Sequence, residues 1–297
     1  MSRNEAYGYA VARIRAMESM LFDASMFQRM IDSGDLQGAL KILAETGYSR
    51  GMGEGEHSSE RYDSVLEFEM TRTFEELASF VPDRELIDIF RVPYDFHNVK
   101  VIMKGILKER SGGKKRWDLL TRLGSISADT LSACMESEDY VLLPYGLSSI
   151  IPACFSAWEQ VGDIVEIERK LDGGMFADIL LLAETVGETG VVKWVKARID
   201  SENIRNLLRL KRFGFDSSAV AAFLHGGGTV DPGTLVSLLS EQFDSWGRAL
   251  SYSDVGLAIS QTPDDGDFDT LIIALEKSLD DYCSAIVERA RFSSSAP

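Results

Sequence analysis

Asp95-Phe-His-Asn98-Val-Lys100-Val-Ile-Met-Lys104 and Asp200-Ser-Glu-Asn203-Ile-Arg205-Asn-Leu-Leu-Arg209 share the pattern D-x-x-N-Φ-[KR]-x-Φ-Φ-[KR], where Φ is apolar, at an offset of 105 residues. Downstream, Gly124-Ser-Ile126 with Thr130-Leu131 matches Gly228-Thr-Val230 with Thr234-Leu235 at an offset of 104. Two pieces that keep one spacing identify an internal repeat, and apolar residues at i, i+3 and i+4 make it a helical one. A third trace, Ile167-Glu-Arg-Lys-Leu-Asp172 against Leu275-Glu-Lys-Ser-Leu-Asp280 at offset 108, has the C-terminal helix opening another unit. The chain therefore reads as all-α, in three units: 51–150, 151–250, and 1–50 together with 251–297.

Within each repeat the residue types have physical roles. Asp95 and Asp200 read as N-caps accepting from the backbone N–H of the Asn three positions on. Asn98 and Asn203 lie four residues before Ile102 and Leu207, on the edge of the apolar face, where a buried amide needs partners. The expected role for each is to tie its helix to a neighbouring loop. These four residues are the anchors of the repeat.

Outward from the repeat, only seven prolines interrupt 297 residues and helical periodicity recurs. Helices are expected over Tyr9–Leu21, Leu36–Glu45, Ser64–Phe80, Phe96–Lys108, Ala153–Lys170, Phe176–Val186, Glu202–Arg212, Thr234–Leu250 and Phe268–Arg291. Breakers are read at Gly51–Gly55, Ser111–Gly113, Gly173-Gly174, Gly226–Gly228 and Pro263–Gly266. Val141 to Trp158 carries no charge over 18 residues, close to spanning length, but Pro144, Gly146, Pro152 and serines interrupt it. A buried turn leading into a core helix after Pro152 is expected instead, with no membrane span.

Composition excludes several function classes. Against 31 Lys+Arg stand 47 Asp+Glu, so the net charge of −16 makes nucleic acid and anionic lipid poor partners for the chain as a whole. Cys134, Cys154 and Cys283 fit no CxxC pattern and read as buried thiols of a cytoplasmic protein. The N-terminal MSRNEAYGYAVARIRAMESM lacks the apolar stretch of a secretory signal.

Enzymatic signatures fail one by one, and no cofactor is expected. Gly51-Met-Gly53-Glu-Gly55 lacks dinucleotide-loop spacing, and neither Ser111-Gly-Gly-Lys-Lys115 nor Gly226-Gly-Gly-Thr229 ends as a phosphate loop must. Gly146-Leu-Ser148-Ser-Ile150 has Ile150 where a nucleophile elbow needs glycine. His57, His97 and His225 are isolated, and read as loop and cap residues. Asp265-Gly-Asp267-Phe-Asp269-Thr270 with Glu276 imitates a calcium loop but carries Thr270 where the turn needs glycine, and reads as an acid-rich helix start. The carboxylate pairs Asp264-Asp265 and Asp280-Asp281 lack DDxxD spacing.

One charged feature remains. Lys100 to Arg116 holds seven cations and one acid, and Lys193 to Arg212 holds seven cations against Asp200 and Glu202. Lys100, Lys104 and Lys108 form an i, i+4, i+8 stripe, and Arg205 with Arg209 repeats its first two members. A solvated face balanced by the protein's own acids is one reading of these stripes. The other is a pair of partner-binding surfaces facing a common axis and receiving an acidic partner.

The opening Tyr7-Gly-Tyr-Ala-Val-Ala-Arg13-Ile-Arg15-Ala16, the run Leu40-Lys-Ile-Leu-Ala-Glu-Thr46-Gly-Tyr48 and the two D-x-x-N-Φ-[KR] helices together resemble the C subunit of the V/A-type rotary ATPases, known in eukaryotes as the d subunit. The resemblance runs from about Tyr7 to Phe292. It implies a non-catalytic, all-helical part of three similar units around a pseudo-threefold axis, shaped like a funnel. Such a part sits in a single copy on the cytoplasmic face of the membrane rotor ring and accepts the central stalk. At the spacing of the repeat a third D-x-x-N falls near position 311, past the last residue of the sequence, so closure of the threefold is not expected from a third copy of the motif. The alternative from another class is a free cytosolic helical-repeat scaffold that binds an acidic protein through the basic stripes.

Overall fold

The computed structural model describes residues 3–51, 62–263 and 267–291; Gly53, Gly55, His57, Asp264 and Asp265 lie outside them. Among the described residues every regular element is helical. The boundary between two compact units falls at Ser132 and Ala133.

In the first unit, α1 (Arg3–Glu18) is followed by α2 (Ala24–Asp32) and α3 (Leu36–Ala44), then a 3₁₀ turn at Gly47–Gly51. The long pair α4 (Tyr62–Phe80) and α5 (Glu85–Arg110) comes next, then a 3₁₀ turn at Trp117–Leu119, and α6 (Ala128–Ser137) crosses the boundary. The short helices start where side chains cap them: Asp23 accepts from Met26 N–H at 2.9 Å and Asp35 from Gly38 N–H at 2.7 Å. Against α4, α1 places Arg13 on Glu76 at 3.1 Å with its guanidinium 4.5 Å from the Phe80 ring centre, while Tyr7 donates its hydroxyl to Asp83. Val92, Phe96, Val99, Ile102 and Met103 on α5 are wholly buried.

The second unit holds α7 (Leu147–Val161), α8 (Ile164–Val186) and α9 (Thr189–Arg212). Short helices α10 (Ser217–Ala221), α11 (Pro232–Ser237), α12 (Phe243–Ala249) and α13 (Asp254–Ser260) lead to α14 (Phe268–Arg291). Its core joins Ile204 and Leu207 of α9 to Trp246 of α12, Val255 of α13 and Leu275 and Leu279 of α14. Each such side chain contributes about 1.5–3 kcal/mol by leaving water. The Trp246 indole N–H donates to the Leu238 carbonyl at 3.1 Å, so the largest core residue leaves no polar atom unpaired.

Several boundaries differ from the sequence reading. Ala153–Lys170 is two helices, because Gly162 adopts φ 68° and ends α7 with its N–H on the Trp158 carbonyl at 2.7 Å, and Asp163 then caps α8. The core helix begins at Leu147 rather than after Pro152, so Pro152 lies inside α7. Gly173 and Gly174 do not break the chain but sit inside α8, where packing on both neighbouring helices outweighs a propensity cost of about 1 kcal/mol per glycine. Thr234–Leu250 is split into α11, a 3₁₀ turn and α12. Helices α2, α6, α10 and α13 have no counterpart among the expected helices. No helix among the described residues is long and apolar enough to cross a membrane.

Candidate functional site

The four anchors form two copies of one structure. Asp95 and Asp200 are not N-caps: α5 begins at Glu85 and α9 at Thr189, about three turns earlier, and both carboxylates lie fully buried in mid-helix. Each instead caps the loop that returns across its helix. Asp95 accepts from Ile126 N–H at 2.9 Å and the Ser125 hydroxyl at 2.7 Å. Asp200 accepts from Thr229 N–H at 2.9 Å, Val230 N–H at 3.1 Å and the Thr229 hydroxyl. One turn on, Asn98 donates to the Thr121 carbonyl at 2.8 Å and accepts from Thr121 N–H at 3.0 Å. Asn203 does the same with His225, at 2.8 and 2.7 Å. An amide in this pose satisfies a backbone donor and acceptor together, which is why a loop can lie buried against each helix.

Gly124 and Gly228 complete the device. A Cβ at either would land on Oδ1 of the Asp it faces, so only glycine lets the loop come this close. The first unit adds further ties: Glu67 on α4 accepts from the Thr121 hydroxyl and from Arg122 N–H, both at 2.6 Å, and Arg91 donates to the Leu123 carbonyl at 3.2 Å and to that of Gly124. These two were missed in the sequence because they fall outside the repeated pattern. Asp178 on α8, also missed, is a related clamp: both its oxygens accept from Gly146 N–H at 3.0 Å.

Burial pushes the carboxyls of Asp95, Asp200 and Asp178 above the usual range, against the pull of their hydrogen bonds. A carboxyl whose folded pKa is raised adds stability while protonated and loses it as pH rises through that value. Thermal stability is therefore expected to rise from pH 7.5 toward pH 5, still above the ordinary carboxylate value of about 4. The relief of the −16 net charge acts in the same direction, so the comparison that isolates the clamps is the double variant Asp95→Asn with Asp200→Asn. Its melting temperature, followed by circular dichroism, should depend less steeply on pH than the parent's; an equal slope would contradict the assignment.

The basic stripes are placed as follows. Lys100 and Lys104 on α5 are half-buried and Lys108 is exposed. On α9, Arg205 pairs with Asp280 at 2.7 Å and Glu202 at 3.6 Å, and Arg209 pairs with Glu276 at 2.6 Å. The i, i+4 spacing of the arginines meets the i, i+4 spacing of acids on the antiparallel α14. Beyond the stripes, Lys115 pairs with Glu109 at 2.8 Å and Arg116 with Asp118 at 2.6 Å.

The remaining candidates take ordinary positions. His97 lies inside α5 with Nε2 at 2.8 Å from the Leu119 carbonyl, and His225 is buried against Phe176. Asp267 caps α14, accepting from the N–H groups of Asp269 and Thr270 at 3.0 Å. Cys154 and Cys283 are buried, the Cys154 thiol being pushed up to about 11 by burial, whereas Cys134 is only partly covered. Among the described residues no group of three or more His, Cys, Asp or Glu is placed to hold a metal ion.

Over residues 10–297 the chain matches the ATP synthase (C/AC39) subunit family. It is 26% identical to the C subunit of the A-type ATP synthase of Haloferax volcanii, over 95% of this chain and 82% of that protein. It is 24% identical to the C subunit of the V-type sodium ATPase of Enterococcus hirae, over 96% of this chain and 84% of that one. The C subunit of the A-type ATP synthase of Haloquadratum walsbyi is 22% identical over 92% of this chain and 81% of its own length. With a helical body and a match that spans nearly its whole length, the chain belongs to the ATP synthase (C/AC39) subunit family, a non-catalytic component of the A- and V-type ATPases.

Proposed function

We propose that this chain is the central rotor adaptor of an A/V-type ATPase, joining the central stalk to the membrane rotor ring and transmitting torque for ATP-coupled proton or sodium transport. The observation that carries this reading is family membership over residues 10–297. In it the chain acts as a single copy, peripheral on the cytoplasmic face of the membrane and held there through the ring. Its units, 51–150, 151–250 and 1–50 with 251–297, form a funnel around a pseudo-threefold axis. A torque-bearing part must resist shear between helices, and the paired Asp and Asn clamps supply that stiffness by fixing loops to helices at two points each.

The stripes enter as rim charges that orient a partner: Lys100, Lys104 and Lys108 on α5, and Arg205 and Arg209 on α9. Calorimetric titration with the purified central-stalk subunits of the same organism tests both parts. Saturable one-to-one binding is expected, weaker at moderate than at low salt. Charge reversal at Lys104 and Lys108 should weaken it by about threefold to tenfold at low salt. For α9 the exchange Arg205→Asp with Asp280→Arg keeps an internal ion pair while moving the charge a partner meets. A folded protein that binds no stalk component at either salt would overturn the adaptor reading; binding untouched by every reversal would remove the stripes from it.

A further inference from the structure

Four of the ten methionines, Met17, Met20, Met26 and Met30, stand between positions 17 and 30 of the first unit. Two of them carry α2. Every residue of this helix except Met26 and Met30 is exposed, Phe27 and Ile31 included. The pair is one turn apart, so both thioethers lie on one face, and α3 is the helix packed against α2. One turn earlier Phe22 continues the stripe, its ring centre 5.3 Å from that of Tyr48 and 6.0 Å from that of Phe27. The ion pair that joins α2 to the end of α3, Arg29 with Glu45 at 3.7 Å, is exposed and holds little. A helix of nine residues is marginal without tertiary packing, so the two thioethers decide whether α2 stays in place.

A thioether is an apolar group that mild oxidants turn polar. The Met26 sulfur is open to them: it accepts from the exposed Arg29 guanidinium at 3.9 Å, at the edge of the contact with α3 rather than beneath it. We propose that Met26 and Met30 form an oxidation-sensitive seat, whose conversion to the sulfoxides by hydrogen peroxide releases α2 from α3. At each sulfur the lone pair takes one peroxide oxygen, the O–O bond breaks and water leaves, so the thioether loses two electrons and the peroxide gains them. The new sulfoxide oxygen needs hydrogen-bond donors that an apolar contact between two helices does not supply. Methionine sulfoxide reductases, one for each epimer, reverse the change: a dithiol becomes a disulfide, water is released and the thioether returns. The seat is independent of the adaptor reading.

The test treats the full chain with hydrogen peroxide and assigns the sulfoxides by mass spectrometry. Met26 and Met30 should oxidise along with the exposed Met20 and Met70, well before the buried Met103 and Met135. Trypsin should then cleave after Arg29, inside α2, at least about tenfold faster than in the untreated chain, because cleavage follows the population of the open helix. Treatment with both reductases should return the original rate. Met26→Leu with Met30→Leu keeps the apolar volume and should abolish the response, whereas Met20→Leu should leave it intact. Met26→Gln with Met30→Gln should give fast cleavage without peroxide. Cleavage unchanged once both sulfoxides have formed would overturn the seat. So would an untreated chain cleaved as fast as the glutamine variant, or a peroxide response that survives in the leucine variant.

Discussion

Gly228→Ala is expected to destabilise the protein by about 3 kcal/mol, and Gly124→Ala by a similar amount. In each case the new methyl falls on Oδ1 of a fully buried aspartate, with that residue's own backbone nitrogen only 3.5 Å from the methyl at position 228 and 3.3 Å from the one at 124. The carboxylates cannot step aside, because moving them breaks the bonds to Thr229 and Val230, or to Ser125 and Ile126. Either the loop lifts and strands buried backbone donors, or the helix distorts. Gly173→Ala is the matched control: it lies inside α8 with open space at the Cβ position, so the gain in helix propensity makes it neutral or stabilising by up to about 1 kcal/mol. Urea unfolding followed by circular dichroism reads all three. Equal tolerance of alanine at positions 124, 173 and 228 would mean that the loops are not seated on the aspartates.

Asn203→Leu is expected to cost about 3 kcal/mol, because it removes both bonds to His225 and leaves a buried N–H and a buried carbonyl without partners. The same change at Asn98 should cost less, about 1–2 kcal/mol, since Thr121 is half-buried and water can replace the amide. Hydrogen exchange at His225 N–H gives a local reading: its protection should fall in Asn203→Leu more than that of amides in the middle of α8. Asn203→Asp separates the two bonds. The carboxylate still accepts from His225 N–H but faces the His225 carbonyl without a donor, so the variant should be less stable at pH 8 than at pH 5. Loss of stability without loss of protection at His225 would contradict the clamp.

Much of this clamp was legible in the sequence, and its misreading is instructive. The pattern D-x-x-N located the right residues, and the polar Asn on an apolar edge called for a partner loop. What misled was the Asp, whose type favours N-caps; nothing local marked α5 as beginning at Glu85, and the helix runs through Pro93. Only tertiary contact distinguishes an aspartate that caps its own helix from one that caps a loop returning some 30 residues later. Gly173-Gly174 failed in the same way, a weak local preference being overridden by packing. Gly162-Asp163, a left-handed glycine followed by a cap residue, also carried a stop and start, yet the expected helix Ala153–Lys170 ran through it.

The basic stripes show another limit. Arg205 and Arg209 have the spacing of Glu276 and Asp280, so the complementarity was present in the sequence, but nothing there stated that α9 and α14 meet. A local excess of cations became, in the fold, a pair of antiparallel ion pairs between helices. Exposed pairs of this kind contribute at most about 1 kcal/mol each, so they set the register of α14 more than they stabilise it.

The most direct measurement of the central claim is ATP-driven ion transport by the complex reconstituted in vesicles with and without this chain, with ATP hydrolysis recorded alongside. The adaptor account predicts that omitting the chain abolishes transport and co-isolation of the rotor ring with the stalk while hydrolysis continues, and that adding it back restores coupling. Transport that persists at the full rate in its absence would contradict the account.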